Sequence, residues 1–224
     1  MHFKKISRRQ KLTYLALSLF FIFLIYFNSF YYIRSIISDK LQGDDVVLDH
    51  IIIVAIDDYS IQKIGRWPWD RDVYSSLLDN IADAKTIGFD LSFFEESDKD
   101  EILKISLEKR NNVVLAAEIN SGILYKPIFN TDYGFVNLIV DSDGIVRSID
   151  THIGEDFDVL PFSFKIYENS FGKKVWKLDR YFIKFVGSPV NFKTVSFYDV
   201  LQNGLDAKGK LVLIGVTSPD LHDT

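Results

Sequence analysis

An unbroken apolar run, Ile51-Ile52-Ile53-Val54-Ala55-Ile56, closed by Asp57 and Asp58, limits the folds open to this chain. A β-branched run of this length, bounded by acids, has the size of a strand and lacks the alternation of a half-exposed one. It is therefore expected to be buried on both faces, as in a parallel sheet covered by helices. Such sheets hold ligands beyond the carboxyl ends of their strands, where Asp57 and Asp58 stand. Next comes Gly65-Arg66-Trp67-Pro68-Trp69-Asp70-Arg71, two indoles around a proline. Pro68 restricts the backbone, so the loop is expected to be rigid. Its indoles either cover the sheet edge as packing or present a ligand surface.

Leu12 to Ile33 carries no charged residue. About 20 apolar residues in a helix span a bilayer core. Lys4, Lys5, Arg8, Arg9 and Lys11 precede the run, and no acid comes before Asp39. This asymmetry places the N-terminus in the cytoplasm and everything after Arg34 outside it. Tyr26, Tyr31 and Tyr32 suit the outer interface. A cleaved signal peptide is the rival reading, but its apolar region is normally shorter and FNSFYYIRS offers no A-x-A-like site. The expected organisation is a basic cytoplasmic tail over 1–11, a transmembrane helix over 12–33, a juxtamembrane connector over 34–49 and an extracytoplasmic domain over 50–224. Setting the five leading cations aside leaves 21 basic residues against 31 acidic ones, a net of −10. That charge argues against a nucleic-acid partner. Cysteine is absent, which excludes disulfides and thiolate metal sites.

Beyond the aromatic loop, Val73, Leu77, Leu78, Ile81 and Ala84 form a helical stripe over 70–84, with Asp70 as N-cap. A strand over 86–93 follows, then a helix over 100–110 and a strand over 113–119. This strand–helix alternation predicts a parallel sheet. The pattern then changes, because 133–153 has no helical period. Asp143-Gly144 between β-formers predicts a hairpin over 135–150. Asp141-Ser142-Asp143-Gly144 also overlaps the start of a calcium loop, but the twelfth position is His152 instead of Glu. A helix is expected over 161–170, with Leu160, Phe164 and Tyr167 at helical spacing and Gly172 as its stop. A strand over 181–186, a short helix over 196–203 capped by Ser196, and a last strand over 210–217 complete the pattern. The fold class is α/β: a mixed, mainly parallel sheet flanked by helices, with an antiparallel hairpin insertion, after one N-terminal transmembrane helix.

Three stretches carry a resemblance: the strand ending in Ala-Ile-Asp followed by GRWPW and Arg71, then GFVN with DSDGIVR, then TVSFYDVL with GKLVLIGVTSPDL. In this order they resemble the CHASE domain of the second type, the cyclases/histidine kinases associated sensory extracellular domain, over about residues 45–224. The resemblance implies a sensor in a bacterial cytoplasmic (inner) membrane receptor. It implies as partners the lipid bilayer, an unknown small-molecule or periplasmic ligand, a second copy of the chain, and a cytoplasmic adenylate or guanylate cyclase or histidine kinase as output. Similar proteins continue into further membrane helices and that output module, which is expected to lie outside this chain. No cofactor is implied.

If the strands ending at Asp57, Asp90, Glu118 and Thr217 are parallel, those residues share one rim, with Trp67 and Arg71 over it. These six are the candidate ligand-binding residues, suited to a polar or cationic small molecule. The competing reading has the acids capping helices or pairing with Arg66 and Arg71. An enzyme reading would place a hard cation on Asp57, Asp58 and Asp90 for hydrolysis. No Walker loop, G-x-S-x-G elbow or H-E-x-x-H spacing accompanies it, so no catalytic residue is assigned. A domain that only dimerises is the remaining alternative.

Overall fold

The computed structural model describes residues 7–26, 49–175, 178–185 and 192–218, apart from the side chains of residues 154 and 155. Tyr31, Tyr32, nearly all of the expected connector, Val186 with the Gly187-Ser188-Pro189 stop, and His222 lie outside the described residues. The chain divides into two compact units.

In the first unit, α1 (Arg8–Tyr26) is long and apolar enough to cross a membrane, and none of its side chains is buried. It starts earlier than the uncharged stretch because Ser7 and Gln10 form a reciprocal cap. The Gln10 N–H donates to Ser7 Oγ at 3.3 Å and the Ser7 N–H to Gln10 Oε1 at 2.9 Å.

The second unit is built on β1 (Ile51–Ile56), α2 (Asp58–Ile64), α3 (Arg71–Asn80), β2 (Thr86–Asp90), α4 (Asp100–Glu108) and β3 (Val113–Asn120). It continues through β4 (Ile123–Tyr125), β5 (Asp132–Phe135), β6 (Ser148–Asp150), a 3-10 turn (His152–Phe157) and α5 (Phe162–Phe171). β7 (Arg180–Phe182), β8 (Lys193–Ser196), α6 (Phe197–Asn203) and β9 (Leu211–Val216) follow. The main sheet runs β4-β3-β2-β9-β1-β8, with β5 also paired to β3. All its pairings are parallel except β3 with β4. The hexapeptide Ile51–Ile56 matches Leu211–Val216 rung for rung and lies between β9 and β8.

One face of the sheet is covered by α3, α4 and α6. Val54, Ile56, Ile87, Phe89, Val113, Leu115, Val212 and Ile214 meet Tyr74, Leu77, Leu78, Leu103, Leu107, Phe197 and Val200 in one core. Each such aliphatic side chain contributes about 1.5–3 kcal/mol by leaving water. On the other face α5 lies against β2, β3 and β5. Two glycines permit its approach: a Cβ at Gly134 would stand 2.6 Å from Phe162 Cα, and one at Gly88 2.7 Å from Ile166 Cδ1.

Several elements differ in extent from the sequence reading. The helix expected over 70–84 ends at Asn80, and the strand expected over 86–93 ends at Asp90. Asp70 and Ser196 occupy N-cap positions without a side-chain capping bond. Asp70 instead pairs with Lys99 at 2.8 Å. The hairpin forms at Asp141–Gly144, where Asp141 N–H donates to Ile145 O and Ile139 bridges Ser148 antiparallel. Phe135, placed in that hairpin by the sequence, belongs to β5 and runs parallel to β3. β6 pairs with β7 in a separate two-stranded antiparallel sheet.

Candidate functional site

The parallel register brings Asp57, Asp90 and Thr217 to one end of the sheet. Asp90 is paired with Gly215, and Thr217 N–H donates to Ile56 O at 3.0 Å. Glu118 lies farther out, in the part of β3 that pairs with β4, opposite Tyr125.

Asp57 is committed to local structure. It is the N-cap of α2, and its Oδ1 accepts from Ser60 N–H at 2.8 Å. The same oxygen lies 2.6 Å from Ser60 Oγ and 2.9 Å from Ser196 Oγ, while the two hydroxyl oxygens are 2.9 Å apart. Each hydroxyl carries one proton, so at most two of these three contacts are hydrogen bonds at any moment. Tyr198 N–H also donates to Ser60 Oγ, at 3.0 Å. Ser60 is fully buried. One carboxylate thus ties the start of α2 to the β8–α6 junction. Asp58 is exposed in the first turn of α2, where the helix dipole favours its charge.

Arg71 does not pair with Asp57 or Asp90. Its Nε donates to Asp100 Oδ1 at 2.9 Å, a second guanidinium nitrogen donates to Glu95 O at 2.9 Å, and the group lies 4.8 Å from the Phe93 ring centroid. Arg71 therefore braces the acidic loop between β2 and α4 against α3. Trp67 is half-buried, edge-on to Trp69 at 5.1 Å and to Tyr74 at 6.4 Å. Trp69 is buried, packs tilted against Phe197 with ring centroids 4.9 Å apart and donates from Nε1 to Gly65 O at 2.9 Å. The Trp67–Pro68 peptide is cis.

Asp90 is different. Its side chain reaches solvent and has no hydrogen-bond partner among the described residues, while desolvation raises its carboxyl above the ordinary value. Thr217 is exposed and Glu118 half-exposed. Among the described residues no group of three or more acids or histidines is placed to hold a metal ion. At the calcium-like turn, Arg147 reaches both oxygens of Asp143 and Oδ2 of Asp141 at 2.7–2.8 Å.

Sequence reasoning missed Ser60 and the Tyr198 amide, and placed Ser196 only as a helix cap, away from Asp57. The signal was available as Asp57 followed three residues on by Ser60, an N-cap pattern. It also missed three cavities around α5, of about 540, 810 and 400 Å³.

Crossovers opening at one rim of a mainly parallel sheet define an α/β domain of the kind that holds ligands at strand ends, in a chain with one helix long and apolar enough to cross a membrane. The family model of the CHASE2 domain matches residues 15–224, and the chain belongs to that family, an extracellular sensory domain of signalling receptors. No curated protein and no solved structure matches the chain.

Proposed function

We propose that this chain is the membrane-anchored, extracytoplasmic sensor of a bacterial receptor, held in the inner membrane by α1 with its N-terminus in the cytoplasm. Its output is a cytoplasmic adenylate or guanylate cyclase or a histidine kinase, and it works as a homodimer. The observation that carries the reading is the charge asymmetry around α1, five cations before the apolar run and no acid, in a chain of a sensory family. The division into a tail over 1–11, a span over 12–33, a connector over 34–49 and a sensor over 50–224 follows from it. At the rim, Asp57, Trp67 and Arg71 fix the shape, and Asp90 and Thr217, with Glu118 farther out along β3, are the groups left to meet a ligand. A ligand changes the output only by binding two receptor states unequally.

Topology is the direct test. A reporter that works only outside the cytoplasm, fused after Thr224, is expected to be active, and moving the five cations behind the span is expected to abolish that activity. Activity of a cytoplasm-only reporter at the same position would overturn the reading.

A further inference from the structure

α5 carries a second apolar side. Ile166 and Ser170 face inward and are buried, while Phe164 and Tyr167, whose helical spacing marked the helix in the sequence, line the cavity of about 810 Å³. Tyr167 is 42% exposed and Leu178, on the facing wall, 57%. Tyr181 of β7 closes the wall, its ring edge-on to Phe164 at 4.7 Å, and its hydroxyl is sealed from solvent without a partner among the described residues. The cavity lies in the size range of sites for small organic ligands.

Its charge is as distinctive as its lining. Lys173 and Lys174 stand at the cavity, and neither has a carboxylate partner among the described residues. Lys165, by contrast, is paired with Asp132 at 3.0 Å. The nearby acid Glu168 lines the adjoining polar cavity, which Lys174 also reaches and Asp132 and Asp158 share, and it accepts from Val175 N–H at 3.0 Å. A net-acidic domain thus leaves two cations beside an apolar recess of about 810 Å³. We propose that this recess binds an anionic amphiphile: an apolar or aromatic body against Phe164, Tyr167 and Leu178, and a carboxylate at Lys173 and Lys174. The site is separate from the rim. Its walls are α5, seated on the main sheet through Gly88 and Gly134, Lys173, Lys174, Val175 and Leu178 of the segment after it, and Tyr181 of β7. An occupant therefore bridges α5 to a strand of the separate two-stranded sheet.

The test uses the full chain in lipid nanodiscs, with empty nanodiscs subtracted, and calorimetric titration of 2-naphthoate. Its uncharged counterpart 2-naphthylmethanol measures the apolar contribution alone. The acid is expected to bind saturably and about tenfold more tightly than the alcohol, as two partly exposed ion pairs would give. Lys173→Gln with Lys174→Gln should remove that difference, and Tyr167→Ala should weaken both probes. Octanoate binding more tightly than naphthoate assigns a flexible, lipid-derived acyl anion; the reverse order assigns a rigid soluble one. Equal affinity for acid and alcohol, or an unchanged acid affinity in the double variant, overturns the proposal and leaves the topology test untouched.

Discussion

Asp57 shows how one side chain can hold two crossovers. Its replacement removes a helix cap and leaves the buried Ser60 hydroxyl short of an acceptor. Asp57→Ala is expected to cost about 1–2 kcal/mol in urea unfolding followed by tryptophan fluorescence, the range of a lost cap, and Asp57→Asn less, because an amide oxygen still caps. Equal stability of wild type and Asp57→Ala would mean that the Asp57–Ser60–Ser196 cluster does not hold the two crossovers together. The two indoles separate in the same assay. Trp69→Ala opens a buried site and should cost about 3–5 kcal/mol. Trp67→Ala, half-exposed, should cost clearly less, and the reverse order would refute Trp69 as the core member of the pair. Asp143 offers a test by pH. Arg147 hydrogen bonds hold its carboxyl down, from 3.8 to about 2. A depressed acid stabilises the fold above its unfolded value, and that contribution is lost as pH falls through the folded one. Acid titration of the wild type should therefore show a loss between roughly pH 4 and pH 2 that Asp143→Asn lacks. Identical acid profiles would mean that the Asp143–Arg147 pair contributes nothing in solution.

At the scale of elements, the seating of α5 is decided by backbone contact. A methyl at Gly134 meets the backbone of Phe162, whereas one at Gly88 meets the movable end of Ile166. Overpacking costs about 1–3 kcal/mol, so Gly134→Ala should fall at or above the top of that range and Gly88→Ala near the bottom. A melting comparison that ranks them the other way would show α5 free to shift. The same contrast explains what the sequence made legible. β1, β2, β3, β9, α3, α4, α5 and α6 all announced themselves, because periodicity and apolar runs are local properties. α2 did not, since Asp58–Ile64 follows β1 with no linker; Asp57 stood as a candidate ligand group with helix capping as the competing reading, but the helix it caps was not placed. β8 did not either, because Lys-Thr-Val-Ser has little strand character alone and is set by Ile52–Ala55, distant in sequence. At the candidate site, the shared end of Asp57 and Asp90 was legible from the strand pattern. The pairing of Arg71 with Asp100 was not, since it depends on how the 95–100 loop folds back. Phe164 and Tyr167 had the right spacing for a core and face a cavity, because spacing shows that a helix has an apolar side without showing what covers it.

For the whole molecule, the decisive fact is the place of the last strand. β9 lies between β1 and β2, so the first and second strands of the fold never pair with each other. Without Leu211–Val216 the sheet separates into β8–β1 and β2–β3 with its attached strands, and each part exposes an unpaired edge. The core follows, because Val212 and Ile214 are both fully buried between the residues of those halves. Losing the hydrogen bonds on both sides of a central strand, together with two buried side chains, exceeds the 5–15 kcal/mol by which a typical domain is stable once backbone pairing and burial are counted together. A chain ending at Gly204 is therefore expected to remain without a cooperative unfolding transition and to be digested rapidly by protease, while a chain ending at Ser218 resists as the full chain does. Limited proteolysis of the two forms in membranes decides it. Protection of the shorter form would mean that β1 and β2 find another partner, and that the central place of β9 is not what holds the domain together.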